Sequence, residues 1–410
     1  MNVGKMRISY DDVVNAKKNL TDNIVHTPMV SAIRLSNRTN IDIWLKLENL
    51  QHTAAFKARG ALNKLLNLSD EEKKKGVIAC SAGNHAQGVA YNAAQLNIPS
   101  TIVMPRGTPF NKIQKTEEFG ATVDIYGDNF DDAAKYTSKR SEEEGLTYIH
   151  PFDDDYVVAG QGTIAIEMLE DIPDLDAIIV PIGGGGLIAG IAVAAKAINP
   201  DIKIIGAQAD LYNAVKLKQE GNNELPEGGG TIAEGIAVKL PSEKNMEVID
   251  SLVDKIYSLS ENQIEEAVFH LLSAEKLVAE GAACAALAIL LEYPEDFQDK
   301  KVGVVVSGGN IDSRMLSTLI MRGMVRDGRI TRLRFDIDDT PGQLADISRM
   351  IGEEGANVIE VIHQRMMQAV PLKRAELDVV IEARDDHHAH KIVDNLRTSG
   401  FVVNIMNEVS

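Results

Sequence analysis

The segment HTAAFKARG, His52 to Gly60, places one lysine among small and apolar residues. Lys57 follows two alanines and Phe56, and such neighbours keep water away from an ammonium group. Desolvation lowers the pKa of a lysine, and the neutral amine is the nucleophilic form. The segment therefore indicates a reactive lysine, although an ordinary surface charge is the alternative in a chain with 42 Lys and Arg residues.

Four consecutive glycines, Gly183 to Gly186, follow the apolar run AIIVPI and precede the helical pattern LIAGIAVAAKAI. Glycine lets backbone N–H groups turn inward, and a helix N-terminus adds partial positive charge, so this segment predicts a phosphate cradle. The alternative is a tight strand-to-helix turn, which needs fewer glycines. Gly184, Gly186 and Ala189 match G-x-G-x-x-A, but the next strand ends in Gln208 and not in a ribose-binding carboxylate. A phosphorylated cofactor smaller than a dinucleotide is therefore favoured.

Small polar residues also follow two other apolar runs. The turn CSAGNHAQG carries Ser81, Asn84 and His85, and the turn VVVSGGN carries Ser307. Each turn alone is typical of a loop with a helix cap. Because ligands bind at the carboxyl ends of parallel strands, their joint occurrence predicts one shared site.

Alternating β-branched runs and helical patterns predict an α/β fold with parallel sheets buried on both faces. The pattern changes near MRGMVRDGR, residues 321–329, and continues as β-α-β-β-α-β, which predicts a ferredoxin-like module. In its first helix, Thr340 and Gln343 form a predicted capping box. The boundary is expected between Met324 and Arg329.

Composition excludes several classes of partner. With 60 acidic and 42 basic residues, a net charge of −18 disfavours binding to nucleic acid or anionic lipid. The longest apolar run, GAACAALAILL, is too short to span a bilayer and predicts a buried helix. The start lacks the apolar core of a signal peptide, and two cysteines without a CxxC fit a cytoplasmic location. The cluster DDHHAH is interpreted as a solvated helical turn, so no metal site is expected.

Eight motifs together resemble one enzyme family. They occur in the order AAFKARGA, SAGNHAQGVA, HPFDD, AGQGT, GGGGL, TIAEGIAV, VAEGA and SGGN. This order resembles the pyridoxal-phosphate enzymes of the tryptophan-synthase-β fold type (fold type II), and among them the threonine dehydratases, also called threonine ammonia-lyases. The tail, with DDTPGQLADI and GANVIEV, resembles an ACT domain. The resemblance implies a catalytic domain over 1–325, with a small subdomain over about 52–155 inserted in a large one, and an ACT-like regulatory domain over 329–410.

The resemblance also implies a set of residues that hold pyridoxal 5'-phosphate. Lys57 would be the Schiff-base lysine, and Phe56 would pack near the ring. Gly183, Gly184, Gly185, Gly186 and the amide of Leu187 would hold the phosphate. Asn84 would hydrogen-bond the ring hydroxyl, and Ser307 would face the pyridine nitrogen.

For the substrate, the resemblance implies a carboxylate site at Ser81, Asn84 and His85. It implies β-elimination of L-threonine to 2-oxobutanoate and ammonia, with L-serine as a second substrate giving pyruvate. The alternatives are a related L-serine or hydroxyaspartate dehydratase and a non-catalytic amino-acid sensor. Amino-acid or nucleotide effectors and a homodimer or homotetramer are further implications, and the role in isoleucine biosynthesis or in catabolism stays open.

Several positions bear on how the chain fits the family pattern. Ala54 and Ala55 stand where Gly-Ser is usual, so a hydroxyl near the site is lost. Gln208 aligns near a metal-binding carboxylate of hydroxyaspartate dehydratases, and an amide is a poor ligand for a hard cation. Ala82 replaces the serine that serine racemases use as a second acid/base, which disfavours racemisation. Glu280 is expected to organise the ring environment or to pair with a neighbouring backbone group.

Overall fold

The computed structural model describes residues 7–21, 23–222, 224–364 and 374–406. The chain forms two compact units, Met1–Ile311 and Asp312–Ser410, here called the N-terminal and C-terminal units. In the described residues, no helix combines the length and the apolar character that are needed to cross a membrane.

The described strands of the N-terminal unit form two separate sheets. They are β1 Met29–Ser31, β2 Asp42–Leu47, β3 Val77–Cys80, β4 Ser100–Met104, β5 Thr122–Ile125, β6 Thr147–Tyr148, β7 Ala177–Pro181, β8 Lys203–Ala209, β9 Lys255–Leu259 and β10 Lys301–Val306. The large sheet has the order β1-β2-β10-β7-β8-β9, and the small sheet has the order β5-β4-β3-β6. All pairs are parallel except β1 with β2. The predicted parallel α/β architecture is confirmed.

Helices cover both sheets. They are α1 Tyr10–Leu20, α2 Ile33–Thr39, α3 Lys57–Leu66, α4 Asp70–Lys75, α5 Asn84–Gln95, α6 Phe110–Glu118, α7 Phe130–Glu144, α8 Asp155–Asp171, α9 Gly186–Ile198, α10 Ala214–Gln219, α11 Glu243–Leu252, α12 Glu261–His270 and α13 Gly281–Glu292. The run GAACAALAILL lies in α13 and is buried along its length, which confirms the predicted buried helix. Strands such as β3 and β7 are buried at every residue, because helices pack on both of their faces.

The small sheet belongs to one continuous segment of the chain. Its four strands, with α5, α6 and α7 between them, span residues 77–148, and we call this segment the small lobe. The rest of the N-terminal unit, which carries the large sheet, is called the large lobe. The small lobe thus lies between β2 and β7 in the sequence.

The C-terminal unit has the predicted β-α-β-β-α-β order. Its elements are α14 Ser313–Arg326, β11 Ile330–Asp338, α15 Gln343–Glu353, β12 Asn357–Gln364, β13 Arg374–Glu382, α16 Asp386–Thr398 and β14 Val402–Ile405. The strands form an antiparallel sheet of order β12-β13-β11-β14, which is the ferredoxin-like arrangement and fits an ACT-like domain. Leu333, Phe335 and Ile337 alternate into its core.

Two details of the C-terminal unit differ from the sequence-based expectation. The unit begins at Asp312, which caps α14, so α14 belongs to this unit and not to the preceding domain. Part of the polar stretch that suggested a boundary, residues 327–329, is the short turn that joins α14 to β11. The predicted capping box at Thr340 is wrong, because Gly342, with φ +103°, keeps the backbone out of the helix until Gln343.

Ala54 gives a first testable prediction, because it adopts a left-handed φ of +54°. Its N–H donates to Gln51 O at 2.7 Å, and its carbonyl accepts from Gly309 N at 2.9 Å, so neighbouring residues hold this conformation. A left-handed L-residue costs about 1 kcal/mol. Glycine removes this cost but loses more chain entropy on folding, so we expect Ala54→Gly to raise the free energy of unfolding by about 0.5 kcal/mol. The change would be measured as a higher urea midpoint. Ala55→Gly, at a buried site without positive φ, should lower it, and a lowered midpoint for Ala54→Gly would contradict the prediction.

Candidate active site

Three segments predicted to carry chemistry follow neighbouring strands of the large sheet. Lys57 lies after β2, Ser307 directly after β10, and Gly183 after β7. These strands are adjacent and parallel in the order β2-β10-β7. Their carboxyl ends therefore meet at one edge of the sheet, where α/β proteins bind ligands.

Lys57 is the first residue of α3, and its surroundings favour the neutral amine. Its Nζ donates to Pro151 O at 2.7 Å and lies 5.1 Å from the ring centroid of Phe56. Burial lowers the pKa of Lys57 to about 8, while the charge of Glu280 opposes this shift. Lys57 is therefore poised as a nucleophile or base and is not an ordinary surface charge.

A buried charge network holds the start of α3. Arg59 donates to Glu48 through Nε and Nη2, both at 2.8 Å, and to Glu167 through Nη1 at 2.6 Å and Nη2 at 2.7 Å. Lys46 donates to Glu167 at 2.6 Å and to Thr27 O at 2.6 Å. Two cations thus meet two carboxylates, and Arg59, Lys46 and Glu48 are fully buried. Although burial opposes the shift, the bonds from Arg59 and Lys46 lower the pKa of Glu167.

The glycine loop has both a packing role and free donors. Gly185 has a φ of +89° and caps α9, and a Cβ at Gly184 would lie 2.3 Å from the ring of Phe152. No side chain of the described residues caps the first turn of α9, which is buried. Because buried N–H groups need acceptors, the amides from Gly186 onward form a ready anion site.

The segment HPFDD joins the lysine to the glycine loop. Pro151 O accepts from Lys57, and the ring of the next residue, Phe152, packs against Gly184. The lysine and the glycine loop therefore contact two consecutive residues, Pro151 and Phe152. Asp153 to Asp155 form the turn that leads into α8, with Asp154 as its N-cap.

Asn245 and Arg7 support the glycine loop and were missed by the sequence reasoning. Asn245 Nδ2 donates to Gly184 O at 3.0 Å and to Phe152 O at 2.9 Å. Arg7 Nη1 donates to Asn245 Oδ1 at 2.9 Å and to Asp153 at 2.5 Å. Nothing in PSEKNMEV distinguishes this asparagine from a residue in the first turn of a helix, so its role depends on long-range contacts.

Asn84 begins α5 and connects the small lobe to the large lobe. Its Nδ2 donates to Glu280 Oε1 at 2.8 Å, and its Oδ1 accepts from Asn310 Nδ2 at 2.7 Å. Burial raises the pKa of Glu280 to about 7, and the hydrogen bond from Asn84 opposes this rise. Gly308 has to be small, since a Cβ there would lie 2.7 Å from Glu280 Oε1.

Ser307 is 3% exposed and is fixed by its backbone. Its carbonyl accepts from Phe56 N at 3.0 Å, and Ala55 forms a β-bridge with Gly308. The segment after β10 is thereby attached to the residues that precede Lys57.

The three residues predicted to bind a substrate carboxylate differ in the donors that they can offer. Ser81 is half-buried, and its Oγ accepts from Gly83 N at 3.2 Å, so its hydroxyl hydrogen can donate elsewhere. The Nε2 of His85 must donate to Ile149 O at 2.8 Å, because a carbonyl only accepts. Burial, and then the charge of Lys57, lowers the pKa of His85 to about 3, so Nδ1 carries a lone pair. A neutral imidazole in this state has no second donor for a carboxylate, so the ring of His85 is unsuited to the predicted role, and only its main-chain N–H in the first turn of α5 can serve.

The segments weighed as metal sites are occupied by other contacts. Asp385 caps α16, and His388 Nε2 donates to Glu354 O at 2.9 Å. Gln208 donates to Tyr212 O at 3.1 Å and accepts from Lys216 N at 3.0 Å. In the described ranges, no group of three metal-ligating side chains comes together.

Comparison with known proteins agrees with this geometry. The family model described as pyridoxal-phosphate dependent enzyme matches residues 20–308, which include the lysine, the glycine loop and Ser307. The chain belongs to this family. An L-threonine ammonia-lyase of Thermotoga maritima is 42% identical over 97% of this chain and 100% of its own length. A catabolic L-threonine dehydratase of Escherichia coli is 44% identical over 76% of this chain and 96% of its own length. The solved structure of the processed form of threonine deaminase isoform 2 from Solanum lycopersicum has a TM-score of 0.74 and 35% identity, covering 77% of this chain and 88% of that one.

The residues of this pyridoxal-phosphate-dependent enzyme fit its cofactor. A phosphate requires unpaired N–H donors, which the uncapped first turn of α9 provides. An aldehyde requires a neutral amine, which Lys57 provides with its lowered pKa. A cofactor with a phosphate at one end and an aldehyde at the other matches both features.

The buried network gives a prediction about stability. Arg59→Met would leave Glu48 and Glu167 without their main partner, and breaking a buried ion pair costs about 3–5 kcal/mol. We expect a loss of that size in the free energy of unfolding, measured with urea. Arg106→Met is the control, because Arg106 pairs with Asp128 at an exposed site and should cost below about 1 kcal/mol. Equal effects of the two substitutions would contradict the structural role of Arg59.

The state of Lys57 gives a prediction about pH. The neutral amine is the reactive form, so its population rises as pH increases through the pKa. In cofactor-free protein, the rate constant for covalent uptake of pyridoxal phosphate should rise with pH and level off above about 8. Stopped-flow absorbance can measure this rate. A rate that still rises towards the ordinary lysine value of 10.5 would contradict the lowered pKa.

Proposed function

We propose that the protein is a threonine ammonia-lyase, which converts L-threonine to 2-oxobutanoate and ammonia and also accepts L-serine, giving pyruvate. One observation carries this function: the amine of Lys57, with its lowered pKa, bonds to Pro151 O, and the next residue, Phe152, packs against Gly184 of the uncapped glycine loop. The two relatives from Thermotoga maritima and Escherichia coli support threonine as the main substrate.

Each cofactor contact in this proposal uses a group placed at the strand ends. Gly183 to Gly186 and the amide of Leu187 hold the phosphate, and Phe56 lines the ring. Asn84 donates to the ring hydroxyl, and Ser307 faces the pyridine nitrogen. When bound, the cofactor withdraws electrons from the substrate, so that the Cα proton and the β-hydroxyl can leave.

Lys57 and Ser307 then decide the type of reaction. The neutral Nζ of Lys57 accepts the Cα proton as general base, and its pKa near 8 suits proton transfer near neutral pH. Ser307 is buried and un-ionised, so it does not hold a proton on the pyridine nitrogen as a carboxylate would. A weaker electron sink favours prompt β-elimination over transamination.

The substrate carboxylate is proposed to bind at the turn between β3 and α5. The hydroxyl of Ser81 can donate, and no side chain in the described residues caps the first turn of α5. A helix N-terminus with free amides is a natural carboxylate site. Ser81, Asn84 and these amides, which include the main-chain N–H of His85, form the proposed site, and only the ring of His85 is left out because it lacks a free donor.

The central test is ketoacid release by the purified protein with pyridoxal phosphate. We expect turnover of L-threonine above that of L-serine and L-threo-3-hydroxyaspartate, measured with a hydrazine reagent and an ammonia assay. Lys57→Ala should lower kcat by about 10³-fold, because a general base contributes about 10²–10⁴-fold, while far-UV circular dichroism stays unchanged. Lys74→Ala, on the exposed helix α4, is the matched control and should keep wild-type turnover.

Other outcomes separate the alternatives. Colourless protein without ketoacid release would favour the amino-acid sensor, and wild-type turnover of Lys57→Ala would refute the proposed base. Ala82, which cannot donate a proton, predicts no accumulation of D-serine, and chiral chromatography of the reaction mixture checks this point.

The C-terminal unit is proposed to be regulatory. Val358, Ile359 and Ile362 are exposed on β12, which is an edge strand and can pair with a second copy. We propose an amino-acid effector at residues 339–344 and 357–359, and a homodimer or homotetramer. Steady-state rates with and without isoleucine, valine and AMP, together with light scattering, identify the effector and the assembly. A cytoplasmic location is part of the proposal, in keeping with two buried, free cysteines.

A further inference from the structure

Four polar side chains form one continuous hydrogen-bonded chain between the two lobes. Lys115 Nζ donates to Asn310 Oδ1 at 2.7 Å, and Asn310 Nδ2 donates to Asn84 Oδ1 at 2.7 Å. Asn84 Nδ2 then donates to Glu280 Oε1 at 2.8 Å. Lys115 and Asn84 belong to the small lobe, whereas Asn310 and Glu280 belong to the large lobe, so every link crosses between lobes.

The chain has only one direction. The ammonium group of Lys115 only donates, and Oε1 of Glu280 accepts from Asn84, so the two ends set the polarity. Each amide between them accepts at its oxygen on the lysine side and donates at its nitrogen on the glutamate side. Reversing either amide would place donor against donor and acceptor against acceptor. The orientation of the Asn84 carboxamide is therefore determined by its neighbours.

This orientation decides what Asn84 can offer to a ligand. An amide nitrogen carries two hydrogens, and Glu280 takes one of them. The oxygen of Asn84 faces Asn310 and its nitrogen faces Glu280, so the second N–H of that nitrogen is left to donate to a ligand. We infer that Glu280 is a positioning residue, which acts together with Asn310 and Lys115. These residues hold the Asn84 carboxamide so that one of its N–H groups is directed to the ring hydroxyl oxygen of pyridoxal phosphate. This inference rests on the proposed function and assigns Glu280 a task within it.

The surroundings of Glu280 are built to keep it in place. Its N–H donates to Gly308 O at 3.1 Å, and a Cβ at Gly308 or Gly235 would approach Oε1 to 2.7 or 3.1 Å. The backbone N–H of Asn310 also donates to the carboxyl group, in addition to the side-chain hydrogen bond from Asn84. Both residues beside the carboxyl group are glycines, so the side chain has a closely fitted position against Asn84.

The test uses the full-length protein and two readouts of cofactor binding, namely the visible absorbance maximum of bound pyridoxal phosphate and its dissociation constant. Glu280→Gln replaces the carboxyl group that accepts from Asn84 with an amide that can also donate to Asn84, so the polarity is no longer imposed. We expect a shifted absorbance maximum and about tenfold weaker binding, the size of one hydrogen bond to a charged group. Lys115→Met should change both readouts in the same direction, and Lys115→Arg, which keeps a donor, should restore them.

Lys112→Met is the matched control. Lys112 lies on the same helix, α6, but it pairs with Glu234 at 2.6 Å and is not a member of the chain. It should keep the wild-type spectrum and affinity. If Lys112→Met reproduced the changes of Lys115→Met, a general loss of positive charge would explain both, and the inference would be wrong.

The results also separate this inference from the proposed function. Wild-type protein that binds pyridoxal phosphate and releases 2-oxobutanoate, beside a Glu280→Gln variant of identical spectrum and affinity, overturns the positioning role alone. Wild-type protein that binds no cofactor overturns the proposed function and the inference together. Should Glu280→Gln fail to fold, Lys115→Met decides, since an unchanged spectrum in that variant also overturns the inference.

Discussion

Two cations and two carboxylates buried behind the site hold the segment that carries the reactive lysine. Each of these charges would cost several kcal/mol if it were buried alone, and the cost is recovered only in a closely matched geometry. Arg59 provides that match, because its planar guanidinium bonds to Glu48 and Glu167 together. Glu48 follows β2 and Glu167 lies on α8, so the start of α3 cannot move without breaking bonds to both. The position of Lys57, two residues earlier, follows from this constraint.

The glycine loop depends on a similar arrangement of contacts. Asn245 holds the carbonyls of Gly184 and Phe152, and Arg7 holds Asn245. The Gly184 oxygen of the loop is thereby bonded to a side chain of the large lobe, while the first-turn amides of α9 stay available. Phe152 packs on Gly184 and Pro151 bonds to Lys57, so two consecutive residues contact both the glycine loop and the lysine.

Local sequence patterns were sufficient to find the residues proposed to face the ligand and insufficient for those that hold them. Lys57 and Ser307 follow β2 and β10 of the large sheet, so parallel-sheet topology predicts that they share an edge. Asn84 follows β3 of the small sheet, and its place beside Glu280 and Asn310 depends on the packing of the two lobes. The role of Asn245 depends on contacts 61 and 93 residues away in the chain, and no local pattern contains that information. His85 shows a second limit, because a helix-start motif does not tell whether a ring points to the ligand or to Ile149. At Gly342 a positive φ moved a helix start that composition placed at Thr340.

The hydrogen-bonded side chains from Lys115 to Glu280 orient the Asn84 carboxamide and also join the small lobe to the large lobe. Their three bonds all cross from the small lobe to the large lobe, so separation of the lobes would break them together. Asn84 would then lose both of the contacts that orient its carboxamide. Asn310 also donates to Thr53 O, four residues before Lys57, so the same residue touches the lysine segment and the asparagine. The bonds that orient the Asn84 carboxamide are therefore also bonds that join the small lobe to the large lobe.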